Sequence, residues 1–242
     1  TVYKTVLYIL NKEQRGYIPP DEFNALGTQV QREIFEQYFE ELNQQLRVPQ
    51  TNSEYANRIK NLEEKIEVFT TFATSATAAP NAVTYVGPYF SLPENLHRLG
   101  TLIYNEKEIQ GVNRNEYFLI NKSPLTKPTE SNPLYVLEGT GFTSTGPSPS
   151  PRFVYVYPDS IIAGVDVYYT KVPADPVWGY GLGTLGQYTY DPTVSTQFEL
   201  HPSEQTNIIL NILMYSGVVI RDPQIVQTAA TMIQQDEAVE KQ

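Results

Sequence analysis

Between Ile208 and Ile220 the chain reads IILNILMYSGVVI, its most apolar stretch, interrupted by Asn211 and Gly217. It falls short of the roughly 18 apolar residues a membrane helix needs. It is also too apolar to lie on a surface, so it reads as a buried helix that needs neighbours on several sides. Any fold for this chain has to supply those neighbours.

The N-terminal third offers candidates. Val2, Val6, Ile9 and Leu10 form a short helical stripe that stops at Gly16 as a C-cap. Pro19-Pro20-Asp21-Glu22 restarts a helix, with proline in the first turn and two carboxylates at the positive end of the dipole. Phe23, Leu26, Val30, Ile34, Tyr38, Leu42 and Leu46 then extend one long amphipathic helix to near Pro49. Thr51-Asn52-Ser53-Glu54 is a capping box. Behind it Tyr55, Ile59, Leu62, Ile66 and Phe69 make a narrow seam, which completes a helical hairpin before TTFATSATAAP ends the periodicity. At the other end, His201-Pro202-Ser203-Glu204 starts the apolar helix, and Asp222-Pro223 starts another carrying Ile225, Val226, Ala229, Met232 and Ile233.

The middle differs in kind. Most of the 18 tyrosines fall between Val83 and Leu200, in short alternating runs such as AVTYV, GTLIYNEKEI, YFLIN, LYVLEG, RFVYVYP and VDVYYTKV. These read as strands broken by turns, with TSTGPSPSP as a loop. Nothing helical separates the runs in this reading, so antiparallel pairing is expected. The predicted fold is α+β: a helical bundle from both chain ends with an inserted antiparallel β-rich domain. The predicted segments are 1–78 and 201–242 for the bundle and 79–200 for the insertion.

Within WGYGLGTLGQYTYDP, Gly181-Leu182-Gly183-Thr184-Leu185-Gly186 matches the G-x-G-x-x-G pattern that cradles a dinucleotide. The pattern has that meaning only between a buried strand and a helix whose N–H groups hold the phosphate. Here Pro173 and Pro176 interrupt any incoming strand and no helix follows, so a flexible or hairpin-like connection is expected and no cofactor. Trp178, Tyr180, Tyr188 and Tyr190 surround the loop. Trp and Tyr are the usual anchors of protein interfaces, and glycines so closely spaced need outside contacts to become ordered. Trp178, Tyr180 and Tyr188 are therefore expected to meet a neighbouring protein, as are Ile225, Met232 and Ile233 on the last helix.

Catalytic chemistry finds little support. His97 and His201 lack partners at metal-ligand spacing, and His201 is explained as the residue before a helix-starting proline. Glu40-Glu41 and Glu63-Glu64 fall on solvent faces of predicted helices, where solvated charge is the simpler account than a glycosidase dyad. Asn121-Lys122-Ser123 matches a glycosylation acceptor, but the chain opens without the basic start and apolar core of a signal peptide. The 242 residues contain no cysteine, which excludes disulfides, thiolate metal sites and thiol nucleophiles. A formal charge of −10 argues against a protein that binds nucleic acid by neutralising phosphates.

Three stretches carry a resemblance: LNKEQRGYIPPDEFNALGTQVQREIFEQYFEELN, VYVYPDSIIAGVDVYYTKVPADPVWGY and FELHPSEQTNIILNILMYSGVVIRDPQIVQTAA. Together they are similar to virion structural proteins of tailed bacteriophages, especially head-to-tail adaptor or ring proteins of crAss-like and related phages of Bacteroidota. The resemblance implies a non-catalytic subunit, made in the bacterial cytoplasm and built into the virion at the head-to-tail junction. It implies a twelve-fold ring of identical subunits beneath the portal protein, in contact with neighbouring tail or ring proteins. It also implies a DNA channel, whose wall the net charge predicts to be acidic or neutral so that DNA does not stick. The competing readings are a carbohydrate-binding module of a phage tail component and a polysaccharide-degrading enzyme.

Overall fold

The computed structural model describes residues 2–12, 17–47, 53–138, 152–184, 186–219, 231, 232 and 234. The C-cap at Gly16, the capping box at 51–54 in its first two positions, the loop 143–151 and the start of the last helix at Asp222-Pro223 lie outside them. The helices whose bounds lie within the described residues are α1 (Val2–Lys12), α2 (Pro20–Arg47), α3 (Ser53–Glu67), α4 (Arg114–Asn121) and α5 (Gln205–Val219). The chain divides into two compact units: Phe69–Val172, and a second assembled from Thr1–Val68 and Pro173–Gln242.

The first unit is an eight-stranded sheet. Its strands are β1 (Thr70–Ala73), β2 (Thr84–Val86), β3 (Tyr89–Ser91), β4 (Leu96–Tyr104), β5 (Lys107–Gly111), β6 (Leu134–Glu138), β7 (Phe153–Tyr157) and β8 (Val165–Lys171). They run in the order β1-β8-β4-β5-β6-β7-β3-β2. The sheet curls until its edges meet, where the Val83 N–H beside β2 donates to the Thr74 carbonyl beside β1 at 3.1 Å. The alternating pattern explains the curl, because one face has to enclose apolar side chains from nearly every strand. Phe90, Leu102, Ile109, Val154, Val156, Val165, Val167 and Tyr169 fill that core. On β7 the alternate residues Phe153, Tyr155 and Tyr157 point to the other face. There Phe153 packs on Tyr89 with ring centroids 4.2 Å apart, and Tyr157 stacks on Tyr117 of α4 at 4.0 Å.

Three sequence readings are corrected in this unit. YFLIN lies not on a strand but on α4, where the Glu116 carboxylate accepts the Asn113 N–H at 3.0 Å in a capping box that the apolar run concealed. The sheet is also not wholly antiparallel, since β5 and β6 pair in parallel, Gln110 opposite Leu134 and Gly111 opposite Tyr135. A parallel neighbour requires a crossover rather than a hairpin, and α4 lies within that connection. The stretch TTFA, read as the end of the helices, forms β1 against β8.

In the second unit, α2 packs against α3 and α5, and α1 against α5. The expected architecture, a helical bundle from both chain ends bearing a β insertion, is corrected. The eight-stranded sheet is the dominant element, and the helices do not close into a bundle. Much of the buried side of α2 is instead covered by extended chain from 173–200, which belongs with the helices and not with the sheet. The reason is general: an amphipathic stripe shows that a face is covered but not by what, and extended chain carrying Pro176, Trp178 and Phe198 covers it as well as a helix does.

Candidate interaction surface on the β-arm

Residues 174–199 fold back on themselves as a two-stranded arm. Val177 and Thr196 exchange backbone hydrogen bonds at 3.0 and 2.9 Å, and the Asp191 N–H donates to the Gly179 carbonyl at 2.9 Å. Beyond these, β9 (Tyr180–Leu182) pairs with β10 (Tyr188–Tyr190), and the Gly183 N–H closes the turn on the Gln187 carbonyl at 2.8 Å. The glycine-rich stretch is therefore the tip of a hairpin. Gly186, at φ +76°, takes the left-handed conformation that such a turn demands. No helix begins at it, so the donors that would hold a pyrophosphate are not there.

The arm runs antiparallel along α2, held by a series of polar contacts. At its base the buried Gln31 donates to the Ala174 carbonyl at 2.7 Å and accepts from the Glu199 N–H at 3.0 Å, so one side chain holds both strands. The Glu199 carboxylate accepts the Ala174 N–H at 3.0 Å, and Arg32 pairs with Asp175 at 2.9 Å. Two turns of helix nearer the N-terminus, Asn24 accepts the Trp178 N–H at 2.7 Å. Between these contacts Gly27 leaves room for the arm, since a Cβ there would lie 3.2 Å from the Phe198 ring and 3.6 Å from Pro176. A cavity of about 80 Å³ remains beneath, lined by Tyr3, Phe23, Pro176, Trp178, Tyr190 and Phe198 among others.

The expected interface residues divide into two groups. Trp178 is half-buried and packs on Tyr3 at 4.5 Å, and Tyr180 donates to both oxygens of Asp21 at 3.0 and 3.1 Å. These two side chains are occupied in fixing the arm to α1 and α2. The hydrogen bond to a carboxylate also pushes the Tyr180 hydroxyl above its usual pKa, because ionising it would place two negative charges together. Tyr188 and Tyr190 are each 42% exposed and Leu182 is 72% exposed. Val194 is exposed beside them, in a short helical turn that Asp191 caps by accepting from the Thr193 N–H and hydroxyl. Those two hydrogen bonds hold the Asp191 carboxyl below its usual range. Met232 is exposed, whereas Ile225 and Ile233 lie outside the described residues.

Sequence reasoning missed Leu182 and Val194, and missed every residue of α2 that holds the arm. Asn24 and Gln31 lie more than a hundred residues from their partners. An apolar-periodicity reading also places Gln31 on the long helix without assigning it a role. Of the histidines, His97 lies on β4 in the sheet unit. His201 belongs to the helical unit, where its Nδ1 accepts the Ser203 N–H at 3.3 Å as a helix cap. Among the described residues no three His, Asp or Glu side chains are grouped so as to hold a metal ion, and no helix is long and apolar enough to cross a membrane. No family model matches the chain, and no curated protein matches it.

Proposed function

We propose that the protein is a structural, non-catalytic subunit of a tailed-phage virion, assembled into a ring that joins the portal to the tail at the head-to-tail junction. The observation that carries this reading is the β-arm. Its backbone is tied to α2 by side-chain hydrogen bonds, while Leu182, Tyr188, Tyr190 and Val194 at its outer end are exposed. Exposed Tyr and aliphatic side chains on a rigid support make a good protein-binding surface, because they bring large contact area with little side-chain entropy to lose. A second feature supports the DNA-channel part of the reading. The outer face of α2 presents Glu33, Glu36, Glu40 and Glu41 along a shallow groove of about 600 Å³, where the one cation, Arg32, is paired with Asp175. Such a surface repels phosphate and lets DNA slide past without salt-sensitive friction.

The test is the assembly state. Sedimentation and electron microscopy of the purified chain, alone and after mixing with a portal ring, should show a closed ring or its docking onto the portal. A chain that stays monomeric in both conditions, or that turns over a glycan or nucleotide, overturns the reading.

A further inference from the structure

We propose that the seam of the curled sheet is a docking site for an extended, uncharged segment of a partner protein, which enters as an added strand between β1 and β2. These strands stand at the two ends of the sheet order, so among the described residues each has one edge that no strand covers. They approach each other where the Val83 N–H donates to the Thr74 carbonyl. Beyond that bond, among the described residues, no backbone hydrogen bond joins 70–73 to 84–86. An uncovered edge is a row of unmade main-chain hydrogen bonds, and an extended chain is the ligand that makes them.

Proteins usually blunt such edges with charge, a bulge or proline. Here the sequence does the reverse. β1 reads TTFA and β2 reads TYV, without a charge or a proline in either, and Thr, Tyr and Val all favour strands. From Val68 to Pro93 the chain carries no Asp, Glu, Lys or Arg, its longest stretch without one, although 18% of its residues are charged. That stretch is not hidden: Ser75, Ala76, Pro80 and all three residues of β2 are exposed. Contact with water gives no reason to exclude charge from a surface, whereas the cost of desolvating a charge beneath a partner does. One side of the seam is bordered by Phe72, which packs on Tyr168 at 4.6 Å with the two residues 42% and 44% exposed, and the other by the exposed Val86.

These features also select the occupant. A second folded copy presents one edge backed by its own sheet, and that bulk keeps it from meeting both edges at once. A single extended segment bonds to β1 on one side and to β2 on the other. Its alternate residues fall beside Phe72 and Val86 and are apolar, and the uncharged border disfavours charge among the rest.

The probe is a synthetic peptide of alternating valine and threonine, with lysines appended beyond its ends for solubility, added to the purified full chain. At ten times its dissociation constant it should slow amide exchange by about tenfold in both Thr70–Ala73 and Thr84–Val86. The same peptide with a proline at its centre should bind roughly tenfold more weakly, because it lacks a main-chain donor. Phe72→Asp and Val86→Asp, both at exposed positions, should each weaken binding of the alternating peptide by roughly tenfold. If Phe72→Asp lowers the melting temperature, Val86→Asp and the proline-bearing peptide carry the test. Protection of neither edge or of one alone, or indifference to the central proline, overturns the proposal. So does protection that appears in the chain by itself and grows with its concentration, which identifies a second copy as the occupant. The peptide measurement needs no ring, so its outcome is separate from that of the assembly test.

Discussion

The two units of this protein solve the burial problem by different means. In the sheet unit, strand after strand sends alternate apolar residues to one face, and the sheet curls until that face is closed off; Leu102, Val154 and Val167 are wholly buried. In the helical unit the arm lies along α2 on a row of polar contacts from Gln31 to Asp21, with a small cavity left beneath it. The first arrangement distributes stability over many interchangeable contacts. The second concentrates it in a few specific ones. An element held in that way keeps its shape while leaving its outer surface free for a partner, whereas the sheet's apolar face has none to spare.

Substitutions that strike each mode of burial should separate the two. The largest effect is expected from Leu102→Ala, which opens a cavity in the closed core and should cost about 2–5 kcal/mol in urea unfolding. Amide exchange should rise throughout Phe69–Val172. Next comes Gln31→Ala, which leaves the Ala174 carbonyl and the Glu199 N–H without their partner and should cost roughly 1–3 kcal/mol. Its exchange signature should be confined to 174–199. Acceleration of exchange in the sheet as well would mean that the arm is not a separately held element.

Gly27→Leu sharpens the comparison further. The larger side chain has to displace Phe198 and Pro176, and overpacking of this kind costs about 1–3 kcal/mol. The arm's exposed end should lose protection while α2 remains helical by circular dichroism. The smallest effect is on pH dependence. Tyr180 has its pKa raised above the ordinary 10.0 by its hydrogen bond to Asp21. Its contribution to stability is therefore complete below pH 10.0 and is lost as pH rises toward and through the raised value. Tyr180→Phe should remove that alkaline loss from the arm and leave the alkaline behaviour of the sheet's buried Tyr169 unchanged, as followed by exchange or tyrosine absorbance.

The local elements were largely readable. The restart at Pro19-Pro20-Asp21-Glu22, the stripe from Phe23 onward and the prolines bounding Trp178 lead to α2 and to an irregular entry into the glycine loop, because capping, periodicity and proline geometry act within a few residues. The flanks of the G-x-G-x-x-G match pointed to a hairpin-like connection, and the stretch is the tip of one. The strand at Thr70–Ala73 and the helix at Arg114–Asn121 were not readable. TTFA forms a strand only because β8 lies beside it, and YFLIN is as apolar as a strand although its capping residue makes it a helix.

What the residues determined by themselves is where chain must bury and where it must turn: the helical stripes, the alternating runs, the caps and the glycine-bearing hairpin tip. What only the tertiary structure decided is who covers whom. That the long helix is covered by an arm rather than by a closed bundle depends on Gln31 meeting Ala174 and Glu199, and on the missing Cβ of Gly27. Those contacts join residues more than 140 positions apart. Burial energy depends on the area removed from water and not on the identity of the neighbour that removes it, so no local pattern could have named the partner.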